Sequence, residues 1–246
     1  MPDPLMPDPF LTLEGVKTDI AQYHILHGVD LTVPRGQVTM LLGRNGAGKT
    51  TTLRTIMGLW KPREGRILLD GADIAGLAPA AIARKGVAIV PEDMGIFANL
   101  TVEENMILAA ASGPFDRERL DWLLGVFPPL RTFWKMPAGN LSGGQKQMLA
   151  TARAMVEERA LYLIDEPSKG LAPAIVSTLA RALRELKAAG ATILMVEQNF
   201  ALARALGDRV AVMDDGRITW AGAMAELAAD PALQERLMGL SMETAR

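Results

Sequence analysis

The stretch that most constrains the fold is residues 43–50, "GRNGAGKT", which follow the apolar run "VTMLL" and precede a helical pattern. They match the pattern G-x-x-x-x-G-K-[ST]. Glycines let the backbone wrap closely around phosphate groups, so that successive N–H groups point inward as an anion-binding nest. A helix beginning near Lys49 adds its positive N-terminal end at the same place. The arrangement predicts a strand, a phosphate-binding loop and a helix, and hence a nucleotide-binding protein.

The predicted nucleotide-binding residues are this loop and the residue that follows it. Lys49 is expected to reach the β- and γ-phosphates, and the Thr50 hydroxyl to ligate Mg²⁺. The full set is Gly43, Arg44, Asn45, Gly46, Ala47, Gly48, Lys49, Thr50 and Thr51.

Strand and helix patterns alternate over most of the chain. The compact apolar runs "GVAIVPED", "ALYLIDEP" and "ATILMVEQ" are typical of buried parallel strands, and helical patterns separate them. Residues 10–33 favour antiparallel strands instead, and residues 93–141 favour a helical insertion in which Thr101 and Glu104 fit a capping box. We therefore predict an α/β fold: a P-loop NTPase core with a mainly parallel sheet, an N-terminal antiparallel β-subdomain and an inserted α-helical subdomain. The Pro-Asp-rich residues 1–9 are predicted to be a disordered tail, and residues 10–246 one domain.

Composition excludes several classes of function. The 246 residues carry a net charge of -2 and no cysteine, which argues against nucleic-acid binding and removes disulfides and thiolate metal sites. His24 and His27 are interpreted as polar residues of a surface strand. No apolar run approaches the roughly 20 residues of a membrane-spanning helix, and the N-terminus lacks the pattern of a signal sequence. A cytoplasmic location is expected.

Two adjacent carboxylates end the apolar run "LYLIDEP". In phosphate-loop NTPases an acid at the end of a neighbouring buried strand holds the metal, so Asp165 is assigned to Mg²⁺. Glu166 lies one residue further. It is placed either to orient or deprotonate an attacking water, or simply to cap the strand end, and the residues alone leave both roles open.

A second anion site is indicated by "LSGGQKQ". Ser142, Gly143, Gly144 and Gln145 at a helix start offer free N–H groups and a hydroxyl. One phosphate loop does not need two γ-phosphate sites in the same pocket. The economical interpretation is that this site serves a nucleotide held by another subunit.

The three motifs "GRNGAGKTT", "LSGGQ" and "LYLIDEP", in this order, resemble those of the ATP-binding subunits of ABC transporters, and the resemblance covers residues 10–240. It implies ATP and Mg²⁺ as cofactors. It also implies two subunits paired head to tail, with each ATP between the phosphate loop of one and the signature of the other. In that arrangement Glu166 is the general base, and dimer opening after hydrolysis drives the membrane subunits.

Within the family, "VPEDMGIF", "LTVEEN", "DEPSKGLAP" and "MVEQN" resemble the smaller ATPase subunit of importers of branched-chain amino acids and related amides. The implied partners are a second ATPase subunit, identical or similar, two transmembrane permease subunits and, indirectly, a periplasmic solute-binding protein. The subunit would sit on the inner face of the cell membrane. The alternatives are the ATPase of a lipid or lipopolysaccharide exporter and, less well supported, a soluble ABC-type ATPase of repair or translation.

Two positions depart from the general family pattern. Glu92 stands where Gln commonly contacts Mg²⁺ and the attacking water, and it adds negative charge near the γ-phosphate. Gln198 stands where a His commonly contacts the γ-phosphate, so a hydrogen bond remains but the proton charge is lost. Both are retained as candidate catalytic residues, and Glu92 also as a metal ligand.

Adenine recognition and the dimer interface also depend on the resemblance. The family stacks the base on an aromatic residue, a place that falls on Ile20 here, while the nearest aromatic is Tyr23; Ile20 is slightly favoured. The loop after the carboxylates crosses the dimer interface in the family, which points to Ser168 and Gly170. Lys169 is interpreted as a solvated surface charge.

Overall fold

A computed structural model describes residues 8–110, 113 and 115–238. Residues 1–7 of the predicted tail lie outside the described residues. The first strand already begins at Pro9, and Asp8 pairs with Arg35 (Oδ2 to Nε 2.9 Å).

Ten strands are present among the described residues: β1 (Pro9–Ile20), β2 (Tyr23–Pro34), β3 (Val38–Leu42), β4 (Glu64–Leu69), β5 (Ala72–Asp73), β6 (Val87–Val90), β7 (Leu161–Asp165), β8 (Thr192–Val196), β9 (Arg209–Asp214) and β10 (Arg217–Ala223). The described helices are α1 (Lys49–Ile56), α2 (Pro79–Arg84), α3 (Val102–Ala109), α4 (Arg117–Val126), α5 (Pro128–Thr132), α6 (Gly143–Met155), α7 (Pro173–Ala188), α8 (Phe200–Leu206), α9 (Met224–Ala229) and α10 (Pro231–Met238). The sequence also predicts a last helix from about Pro231 to Leu240, of which residues 239 and 240 lie outside the described part.

The strands form two sheets. One has four antiparallel strands in the order β2-β1-β4-β5. The other has six strands in the order β10-β9-β3-β8-β7-β6, all parallel except β10, which pairs with β9 as an antiparallel hairpin. The predicted α/β fold, with its antiparallel N-terminal sheet and mainly parallel second sheet, is confirmed.

The central strands owe their position to their continuous apolar runs. Every residue of β3, β7 and β8 is buried, as expected for strands covered on both faces. One face packs against the antiparallel sheet through Leu41, Leu163 and Leu194. The other packs under the helices through Met40 and Ile164. The carboxyl ends of these strands are thereby held rigidly side by side.

The helical insertion lies between β6 and β7 and contains α3, α4 and α5. The predicted capping box of α3 is present, because Thr101 Oγ1 accepts from the Glu104 amide while the Glu104 side chain accepts from the Thr101 amide. Arg119 ties the insertion to the core by donating to the Met155 carbonyl and to the Tyr162 hydroxyl. None of the described helices has the length and apolar character to cross a membrane.

Candidate nucleotide and metal site

The candidate site is built at the carboxyl ends of four parallel strands. The phosphate-binding loop follows β3, Glu92 follows β6, Glu166 follows Asp165 at the end of β7, and Gln198 follows β8. Parallel strands present their carboxyl ends at one edge of a sheet, which is the usual place for ligands in such folds. Residues far apart in the chain therefore come together here.

The phosphate-binding loop has the backbone that its glycines permit. Gly43, Gly46 and Gly48 all have positive φ, and Gly48 caps α1 in the left-handed conformation. Lys49 is almost fully buried, and its Nζ donates to the carbonyls of Gly43 (2.8 Å) and Arg44 (3.0 Å). Burial lowers the pKa of Lys49. A buried ammonium and the free N–H groups of the first turn of α1 favour an anion at the loop.

The position of Gly43 gives a stability prediction. A Cβ on Gly43, which has φ +147°, would lie 2.1 Å from the Met213 carbonyl oxygen, whereas a Cβ on Gly46 meets nothing within 4 Å. Gly43→Ala should lower the free energy of unfolding by about 3 kcal/mol, since both backbone strain and a collision oppose it. Gly46→Ala, the matched control, should cost about 1 kcal/mol from strain alone. Urea denaturation of the nucleotide-free protein measures both free energies of unfolding. Equal losses of stability in the two variants would show that a Cβ on residue 43 does not collide with Met213.

The Thr50 hydroxyl and Asp165 carboxylate meet directly. Thr50 Oγ1 donates to Asp165 Oδ1 at 3.2 Å across 115 residues of sequence. Burial raises the pKa of Asp165 from 3.8 to about 6, with the charges of Glu92 and Glu166 acting in the same direction. The raised pKa means that the ionised carboxylate of Asp165 lacks a full counter-charge. A carboxylate and a hydroxyl are oxygen ligands, which Mg²⁺ prefers. These residues fit the predicted metal.

The pKa of Asp165 gives a pH prediction for the nucleotide-free protein. Between pH 3.8 and about 6 the folded chain keeps a proton that the unfolded chain releases, so this carboxyl lowers stability as the pH rises through that window. The free energy of unfolding, relative to that of Asp165→Asn, should fall by on the order of 2 kcal/mol across it. Urea denaturation at several pH values measures this difference. A difference that stays flat across this window would contradict the prediction.

Glu166 lies at the centre of a polar network. Gln198 Nε2 donates to Glu166 Oε1 (2.6 Å) and to Asn45 Oδ1 (2.8 Å), and Lys49 Nζ lies 3.8 Å from the same Glu166 oxygen. The Glu166 side chain is only 7% exposed, and its backbone has the left-handed φ of 46° that is costly for a residue with a side chain. The fold thus holds a buried carboxylate against the phosphate-binding loop at the cost of backbone strain.

Glu92 and Lys169 form an ion pair. Lys169 Nζ lies 2.6 Å from Glu92 Oε1 and 3.4 Å from Glu166 Oε2. The hydrogen bond to Glu92 raises the pKa of Lys169, with the Glu166 charge adding to it. Lys169 is exposed, as its interpretation as a solvated surface charge requires, but it is also paired, because the neighbouring strands β6 and β7 bring Glu92 to it.

Sequence reasoning missed Glu197, the last buried acid at this edge. Its carboxylate accepts four hydrogen bonds, from the Ser168 amide and hydroxyl and from the amides of Gln198 and Asn199, at 3.0–3.1 Å. These bonds fix both the loop after β7 and the segment that carries Gln198. The signal was available, because "ILMVEQ" ends a buried apolar run in an acid just as "LYLIDE" does.

The signature residues form the N-terminus of α6. Ser142 caps the helix and makes a capping box with Gln145, while a Cβ on Gly144 would lie 2.9 Å from Ile175 of α7. Ser142 and Gly143 are exposed. Within the described part of the chain, no hydrogen bond or ion pair joins the signature to the phosphate-binding loop. The N–H groups of this helix are open to a ligand from outside the subunit.

The two candidates for adenine face each other across a hairpin. Ile20 ends β1, Tyr23 begins β2, and the two are paired residues. Tyr23 is 62% exposed, while Ile20 is half-buried. His24 and His27 lie on β2, and His24 Nδ1 lies 2.7 Å from Asp19 Oδ1. A group of three or more metal-ligating side chains does not occur among the described residues.

The site defines a phosphate-loop NTPase. It combines a phosphate-binding loop, the Thr50–Asp165 pair of hydroxyl and carboxylate, and the capped, glycine-rich start of α6, around one mainly parallel sheet. The chain belongs to the ABC transporter family, whose model matches residues 26–169, more than half of its length. It is an ATP-binding subunit of an ABC transporter and an ATPase.

Relatives extend this similarity over nearly the whole chain. The high-affinity branched-chain amino acid transport ATP-binding protein BraG of Pseudomonas aeruginosa is 37% identical over 231 residues, 93% of this chain and 99% of that protein. The probable branched-chain amino acid transport ATP-binding protein LivF of Archaeoglobus fulgidus is 36% identical over 222 residues, 89% and 94% respectively. A solved ATP-binding subunit of an ABC transporter superposes with a TM-score of 0.80 at 32% identity, covering 95% of this chain and 96% of that one.

Proposed function

We propose that the chain hydrolyses ATP to energise the import of branched-chain amino acids or related amides, through closure of a head-to-tail dimer. The observation that carries the proposal is the 37% identity to an amino acid transport subunit over 99% of that protein's length. The exposed signature on α6 supports the dimer, since its free N–H groups have room for a phosphate that belongs to another subunit.

The candidate site supports the following division of labour. Lys49 and the amides of the phosphate-binding loop bind the β- and γ-phosphates. Thr50, Asp165 and Glu92 hold Mg²⁺, which when bound neutralises charge that develops on the phosphates. Glu166 accepts the proton of the attacking water.

Gln198 would position that base, because it donates a hydrogen bond to Glu166 Oε1. Glu166 can then accept the proton through Oε2, which has no hydrogen-bond partner among the described residues and lies 3.4 Å from the Lys169 ammonium. Ser142, Gly143, Gly144 and Gln145 bind the γ-phosphate held by the other subunit.

The proposed partners follow from the same comparison. A second ATPase subunit, identical or similar, completes the two sites, and two transmembrane permease subunits receive the motion of closure. A periplasmic solute-binding protein delivers the solute to the permeases, so this subunit does not contact it. The proposed location is the cytoplasmic face of the cell membrane, through contact with the permeases.

Uptake of labelled solutes tests the proposal. Cells that lack this chain should lose uptake of labelled leucine or of a short-chain amide, and the intact chain should restore it. A chain carrying Glu166→Gln, expressed to the same level, should not restore it. Restored lipopolysaccharide export with unchanged solute uptake would contradict import and favour an exporter.

A further inference from the structure

The Lys169 ammonium, on the loop after β7, joins that loop to Glu92 on the loop after β6. Lys169 Nζ touches Glu92 Oε1 at 2.6 Å and lies 3.4 Å from Glu166 Oε2. Glu166 has a second cation nearby, because Lys49 Nζ lies 3.8 Å from its carboxylate. For Glu92, Lys169 is the only cation within 4 Å in the described part of the chain. Removal of Lys169 would therefore leave the charge of Glu92 without its counter-charge.

The Glu92–Lys169 ion pair contributes little to the stability of the fold. The side chains of Lys169 and Glu92 are 57% and 39% exposed. Exposed pairs of this kind contribute roughly 0–1 kcal/mol, because water screens the charges and both side chains lose freedom. A role in the proposed nucleotide site explains the Glu92–Lys169 ion pair better than a role in stability.

The charge of Glu92 is a difficulty for a triphosphate site. It stands at the edge where the phosphate-binding loop and Asp165 meet, and its charge already helps to raise the pKa of Asp165. A carboxylate there repels the γ-phosphate, and it cannot donate a hydrogen bond as a neutral amide could. A cation bound to the Glu92 carboxylate removes its repulsion of the γ-phosphate. The carboxylate oxygens remain available to accept hydrogen bonds or to bind Mg²⁺.

We propose that Lys169 is a positioning residue that neutralises and orients Glu92, so that the Glu92–Lys169 pair does the work of one neutral polar side chain beside the γ-phosphate. The proposal rests on the nucleotide site proposed above. It makes Lys169 act through Glu92 and not directly on the phosphates. The two substitutions should consequently depend on one another.

The test is a double-mutant cycle on ATP binding. Dissociation constants for a fluorescent ATP analogue are measured with EDTA present, and then with Mg²⁺ in the Glu166→Gln background, which separates binding from turnover. Lys169→Met should weaken binding about tenfold, since one charge near the γ-phosphate becomes uncompensated. In the Glu92→Gln background the same substitution should change binding less than about twofold, and Lys169→Arg should retain the binding of the wild type.

Lys135→Met is the matched control, because Lys135 forms a similar exposed ion pair with Glu103 on the helical insertion. It should leave ATP binding unchanged. Equal losses from Lys169→Met in both backgrounds would show that Lys169 acts directly on the phosphates and would overturn the proposal, as would no loss in either. Failure of the wild type to bind the analogue would instead contradict the proposed nucleotide site.

Discussion

Replacement of Glu166 by Gln should reduce the rate of ATP hydrolysis by about 10²–10⁴-fold and leave ATP affinity nearly unchanged. Gln cannot accept the proton of the attacking water at neutral pH. Its remaining side-chain oxygen still accepts the hydrogen bond that Gln198 now donates to Glu166 Oε1, so the site keeps its shape. ATP should accordingly trap the closed dimer, which size-exclusion chromatography with ATP and Mg²⁺ measures alongside phosphate release.

Glu158→Gln controls for the loss of a carboxylate, because the Glu158 side chain is 92% exposed and lies outside the site. It should hydrolyse ATP at the rate of the wild type. Full hydrolysis by the Glu166→Gln variant would remove Glu166 from the role of general base. It would leave the strand-end role that its sequence position also allows.

Replacement of Ser142 by Leu should block the nucleotide site of the other subunit. Dimers of one variant and one unmodified subunit, distinguished by tags of different size, are photolabelled with an azido-ATP under conditions that retain only occluded nucleotide. Labelling should fall at least about tenfold in the unmodified subunit. The site formed by the phosphate-binding loop of that subunit loses the Ser142 hydroxyl of the variant, and the Leu side chain obstructs the signature amides. The variant subunit, facing an intact signature, should remain labelled.

Thr101→Leu is the matched control for damage to a capping box. Thr101 caps α3 with the same pattern of hydrogen bonds that Ser142 makes at α6, so both variants lose a comparable cap. Thr101→Leu should leave labelling of both subunits intact. Loss of label from the variant subunit itself, in the Ser142→Leu dimer, would mean that signature and loop act within one chain and would contradict the head-to-tail arrangement.

Much of the fold was predictable because its signals are local. The apolar runs of β3, β7 and β8 follow directly from their need for burial on both faces, and the capping boxes of α3 and α6 occupy four consecutive residues each. The phosphate-binding loop is equally local, since its glycines, lysine and threonine lie within residues 43–50. Each of these patterns contains within itself the physical reason for its structure.

The charge pairs of the site were harder to predict from the sequence. Glu92 and Lys169 are 77 residues apart, and nothing near either residue indicates the other. Lys169 is exposed, as expected of a lysine beside a glycine, but its pairing with Glu92 was not foreseen, because it depends on β6 and β7 being neighbours in the sheet. Glu197 was missed for a related reason, since the value of a buried acid depends on donors from another loop.

The sequence by itself determined the class of protein, because the chemistry of phosphate binding requires particular residues at particular spacings. It also determined which strands are buried and where the insertion lies. Only the tertiary structure decided which charges meet. Strand order brings Thr50 to Asp165, Gln198 to Glu166 and Lys169 to Glu92, and Coulomb interactions depend on distances in space that a linear chain does not specify.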